Sequence, residues 1–138
     1  MKNYLPLLGR VLIGVPFIFS GVGKLASHDA TVAYISSVGL PFAQLGWLIA
    51  IVVEVGCGTL LLIGYRGRLA AAALGLFSVS TAVFFHRNFA DQNQMIHFLK
   101  DIMLAGGLLQ IVYFGAGPVS LDASRDVGKA DGMQVRTA

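Results

Sequence analysis

The sequence predicts an all-α fold: an integral membrane four-helix bundle with antiparallel, up-down topology. Three observations predict it. Apolar residues make up 56% of the 138 residues and charged residues only 12%, whereas soluble domains carry about 25% charged. A soluble chain this short could not hide so much apolar surface, because small domains bury a limited fraction of it. The apolar residues also gather into four runs, each near the ~20 helical residues that cross a hydrocarbon core. In lipid such runs fold as helices, since each backbone N–H and C=O then finds a partner within its own segment.

The first run, 5–23, is broken only by Arg10. That charge, and the lack of a small-residue cleavage pattern before Lys24, favour a retained helix over a signal peptide. The second run, 45–64, is broken only by Glu54, and the third, 69–86, is rich in alanine. The fourth, 102–119, has Gln110 as its main polar residue. Residues 24–44 read as a loop containing Gly39 and Pro41. The turn 65–68 is so short that the second and third spans must be antiparallel neighbours. Residues 87–101 read as a polar connection, with the fourth helix entered near Met95. Residues 120–138 lack apolar periodicity and read as a flexible cytoplasmic tail.

Loop charges suggest the orientation. One side carries Lys2, Arg66, Arg68, Arg125, Lys129 and Arg136, with Arg10 just inside; the other carries Lys24, Arg87 and Lys100. This bias places both termini in the cytoplasm. Basic residues spread over short loops do not make the dense patch that nucleic acid requires, so membrane lipid is the expected surroundings. Cys57 is the only cysteine, which excludes an intrachain disulfide and a thiolate metal cage.

Charges inside lipid are costly and mark the residues to consider for function. Arg10, Gly14, Phe17, Gly21 and Lys24 recur in steps of four and three residues, which aligns them on one helix face. Trp47, Ile51, Glu54, Gly58 and Leu61 do the same on the second span. Helical rise puts Arg10 about 7 Å and Glu54 about 15 Å from the same membrane edge. An Arg10–Glu54 ion pair is therefore expected, either as a structural bridge or as a proton-responsive or ligand-binding carboxylate. At the other end Lys24, His28, His86, His97, Lys100 and Asp101 form an outer polar cluster that is a possible ligand site. Gln110 and Tyr113 are expected to hydrogen-bond across the bundle. No helical His-x-x-x-His or His-x-x-Glu spacing supports a metal site, and no catalytic motif is visible.

The pieces Gly9-Arg10, Ser20-Gly21 with Lys24, Glu54, Gly64 with Arg68 and Phe85-His86 with Phe89 form an ordered set. Phe98, Lys100, Asp101, Gly117-Pro118, Ser120 and Asp122 complete it. In this order and spacing the chain resembles the DoxX family of bacterial inner-membrane proteins, and within it the YqjF-like members. Many of these carry asparagine where this chain has Asp101. The resemblance implies an inner-membrane location and an accessory role beside redox-protein partners in an oxidative-stress-linked complex. Some family members are named as subunits of a quinone-linked thiosulfate oxidoreductase, but this chain has no cysteine pair and no evident cofactor motif. Two alternatives stand beside that role. One is a small proton-coupled transporter, which with four helices would need a homodimer. The other is a quinone-binding oxidoreductase component, with Lys24, His86 and Lys100 around the headgroup.

Overall fold

A computed structural model of the chain describes residues 2–127. A short 3-10 turn, Lys2–Tyr4, leads into α1 (Leu5–Ala26). Next come α2 (His28–Ser37) and α3 (Ala43–Ile51). A π-helical segment, Val52–Cys57, joins α3 to α4 (Gly58–Ile63). Then follow α5 (Gly67–Phe85) and α6 (Gln92–Phe114). Four stretches are long and apolar enough to span a membrane: Leu5–Ala26, Ala43–Ile63, Gly67–Phe85 and Gln92–Phe114. The fold is the expected all-α bundle of four spans.

The second span packs between α1 and α5, and α6 lies along α5. The core contains Phe17, Leu61, Ala70, Ala71, Leu74 and Leu108. Small residues let the helices approach closely, which matters because lipid offers little hydrophobic drive for helix association. A Cβ on Gly21 would stand 2.6 Å from Val55 Cγ2 and 3.0 Å from Glu54 Cβ. That position accepts glycine alone without a shift of the second span. The buried face of α1 is Arg10, Gly14, Phe17 and Gly21, as their spacing predicts. Large apolar side chains such as Leu12, Phe19 and Leu76 point outward, where lipid would surround them.

Four features differ from the sequence expectations. The 24–44 segment is not a simple loop. It holds α2, too short and too polar to span, which packs on α3 through the buried Ile35. The fourth span is Gln92–Phe114 rather than 102–119. The Asp91 side chain accepts from the Asn93 N–H at 2.9 Å and starts the helix ten residues before the apolar run and three before Met95, so the charges at 97–101 ride on a helix. Gly115, at φ +86°, ends it. Gln110 and Tyr113 are exposed on the outer face of α6, so they do not bond across the bundle. The expected flexible tail is helical over residues 121–127. The Asp122 carboxylate accepts from the amides of Arg66 and Gly67, each at 2.8 Å, and ties this segment to the start of α5. The rest of the tail, with Lys129 and Arg136, lies outside the described residues.

Candidate functional site

Glu54 lies within the π segment and is only 4% exposed. A π turn closes i→i+5 bonds and inserts a residue into the helix, a distortion common at functional sites. Opposite it, the absent side chain of Gly21 lets α1 come close. The last turn of α1 then brings Lys24 to the carboxylate. Lys24 Nζ donates to Glu54 Oε1 at 2.9 Å and to Oε2 at 2.8 Å. Ser20, one turn before Lys24, donates to Glu54 Oε1 at 3.1 Å and accepts from Lys24 at 2.8 Å. Trp47 Nε1 donates to the Lys24 carbonyl at 2.9 Å, and the His28 ring meets the Trp47 ring edge-on at 4.6 Å. Each charge is thus held by the helix opposite.

The expected Arg10–Glu54 ion pair is not formed. Arg10, 1% exposed, sits against the other end of the second span. Its Nη1 donates to the carbonyls of Leu61 and Leu62 at 3.2 and 3.1 Å, and its Nη2 to the carbonyl of Val119. The last carbonyls of a helix carry the negative end of its dipole, so a cation there is stabilised without a carboxylate. Leu61 lies seven residues beyond Glu54, about 10 Å along a helix. Arg10 therefore belongs to the opposite layer. Gly64 follows at φ +70°, and a Cβ there would overlap the Arg10 guanidinium.

The outer polar cluster assembles only in part. His86, at the end of α5, has Nδ1 2.9 Å from Gln94 Oε1 and Nε2 3.9 Å from Asp101 Oδ2. Its ring stacks on that of His97 at 5.0 Å between centroids. The Asp101 Oδ2 atom is buried and has no hydrogen-bond partner among the described residues. Lys100 is exposed and lines neither of the two cavities at this end.

Those cavities meet at the Lys24–Glu54 pair. The larger, about 630 Å³, lies between α2, the second span and α5, and its walls are mostly apolar. Ile35, Val53, Phe77, Phe84 and Phe85 line it, with Lys24, Glu54 and His86 at its polar end. The smaller, about 330 Å³, lies between α1, α5 and α6 and adds Ser20, Ser78 and Asp101. Lys24, Glu54, Phe77, Thr81 and His86 line both. An apolar pocket with a few convergent polar groups is the ordinary form of a small-molecule site. Sequence reasoning found Lys24, Glu54, His86 and Asp101 but missed Ser20 as a ligand of Glu54, and Gln94 entirely. The four-residue spacing of Ser20 and Lys24 was the available signal for the first; Gln94 offered none.

A family model described as DoxX matches residues 5–87, a stretch that holds Arg10, Lys24, Glu54 and His86 but stops short of Asp101. Two Escherichia coli (strain K12) proteins are similar over most of the chain. Inner membrane protein YqjF is 33% identical over 116 residues, covering 84% of this chain and 88% of the relative. Inner membrane protein YphA is 33% identical over 126 residues, covering 88% and 90%. No solved structure matches the chain significantly.

Proposed function

The chain belongs to the DoxX family, and from that premise we propose that it is an accessory subunit of a redox-linked membrane complex whose cavity binds a quinone or a similar amphipathic ring compound. It is a multi-pass protein of the bacterial inner membrane. The reading rests on one observation: the 630 Å³ apolar cavity ends at an ion pair with a buried carboxylate and at an imidazole. The aromatic walls suit a ring and its isoprenoid tail. At the polar end, the Lys24 ammonium and the His86 ring suit hydrogen bonds to a ring carbonyl, while Glu54 holds Lys24 in place. A quinone bound there would supply two-electron redox chemistry; the protein would supply position and shelter from water.

Trp47, the only tryptophan, touches the backbone of Lys24 and reports on this site. Titrating a short-tailed ubiquinone into the detergent-solubilised full chain should quench its fluorescence saturably. Lys24→Gln should weaken binding roughly tenfold, the loss of one charge-assisted hydrogen bond. Quenching that rises linearly without saturation would remove the ligand, and a mild-detergent pull-down without redox proteins would remove the accessory role. The smaller cavity favours a second reading, proton-coupled transport, because it joins Glu54 to His86 and to an Asp101 oxygen that has no hydrogen-bond partner among the described residues. Reconstituted vesicles loaded with a pH dye test it. Acidification driven by a candidate substrate and abolished by Asp101→Asn would favour transport.

A further inference from the structure

The opposite end of the bundle carries a cavity of about 750 Å³ that shares no residue with the Lys24–Glu54 site. The turn between α4 and α5, the end of α6 and residues 121–127 form its walls. Arg66, Arg68 and Arg125 line it, and among the described residues none of the three makes an ion pair. Asp122 and Asp126 line it too, but both Asp122 oxygens already accept from the amides of Arg66 and Gly67. Arg125 is poised over the Tyr65 ring, 5.2 Å from its centroid. The floor is fixed by Arg10, which donates to the Val119 carbonyl, and by Ser120 Oγ, which donates to the Gly117 carbonyl at 2.6 Å. At the rim, Leu69 on α5 and Phe114 on α6 are 65% and 72% exposed. The cavity thus opens between two surfaces that lipid would cover.

We propose that this cavity binds the phosphate-bearing headgroup of an anionic phospholipid, with its acyl chains lying along Leu69 and Phe114. Guanidinium groups match phosphate oxygens in a forked, two-bond geometry. Basic pockets between membrane helices near the polar boundary hold anionic headgroups for the same reason. A free phosphate ion would use the same three arginines but gain nothing from the apolar rim, and that difference separates the two sources.

The test uses the full chain in neutral detergent, with phosphatidylglycerol, phosphatidylcholine or sodium phosphate added, read by native mass spectrometry and melting temperature. Phosphatidylglycerol should stay bound and raise the melting temperature, and the other two should not. Affinity should fall roughly fivefold for each arginine removed in the series Arg66→Gln, Arg68→Gln, Arg125→Gln. The corresponding lysine variants should keep only part of it, since they retain the charge but not the forked geometry. Equal binding of phosphatidylcholine, equal protection by sodium phosphate, or an unchanged triple variant would each overturn the proposal. Should the triple variant not fold, salt decides on the wild type. Binding weakened at about 1 M salt supports the site, and binding indifferent to salt overturns it.

Discussion

Glu54→Gln isolates what a buried carboxylate contributes when a lysine and a serine hold it together. The variant leaves Lys24 beside a neutral amide, and removing one partner of a buried pair costs about 3 kcal/mol, the lower end of the usual range because Lys24 is partly open. Reversible unfolding in mixed micelles should register that loss. Arg10→Met should behave differently. It removes the donor to the carbonyls of Leu61, Leu62 and Val119, with charged hydrogen bonds worth about 1.5–3 kcal/mol each. Hydrogen exchange should then accelerate around residues 119–124, while quinone affinity stays as in the wild type. If that affinity fell instead, the two ends of the bundle would not be independent. The aligned face from Arg10 to Lys24 was legible in the sequence because helical spacing alone sets it. The choice of partners was not. It depends on how far α1 is slid along the second span, and no pattern within either helix encodes that offset.

At the scale of elements, the approach of α1 to the π segment decides whether the site exists. Gly21→Leu should drive the helices apart at Val55, destabilise the bundle by about 1–3 kcal/mol and separate Lys24 from Glu54. Gly23→Leu, at a position with open space around a Cβ, should cost far less and serves as the control. Equal losses in the two variants would mean that the close approach at Gly21 does not hold the site together. Hydropathy located the four spans because each is a long apolar run. It could not find α2, whose ten residues are too short and mixed to stand out, nor the π segment, because one inserted residue barely disturbs a helical pattern. The entry to α6 was read near Met95, three residues late, because hydropathy does not mark Asp91 as a cap.

For the molecule as a whole, the excess of arginine at the Arg66 end predicts a cytoplasmic location for that end. In a Cys57→Ser background, a thiol reagent that cannot cross membranes should label Asn88→Cys from outside intact cells, and Ser124→Cys only after permeabilisation. The reverse pattern would invert the orientation. The number of spans and their burial of charge follow from composition, so they were visible from the start. The two cavities were not, because they are gaps between elements: α2 roofs one of them, and the space between α1 and α6 leaves the other. Both cavities share the Lys24–Glu54 pair as a wall, and the quinone-binding and transport readings both pass through that pair. A double-mutant cycle is its most direct test, with Lys24→Met, Glu54→Gln and the double variant unfolded in mixed micelles, and Arg10→Met combined with Glu54→Gln as the comparison. Coupling of at least ~1 kcal/mol between Lys24 and Glu54, with Arg10 and Glu54 additive to within about 0.5 kcal/mol, is predicted. Strong coupling of Glu54 to Arg10 and none to Lys24 would contradict it.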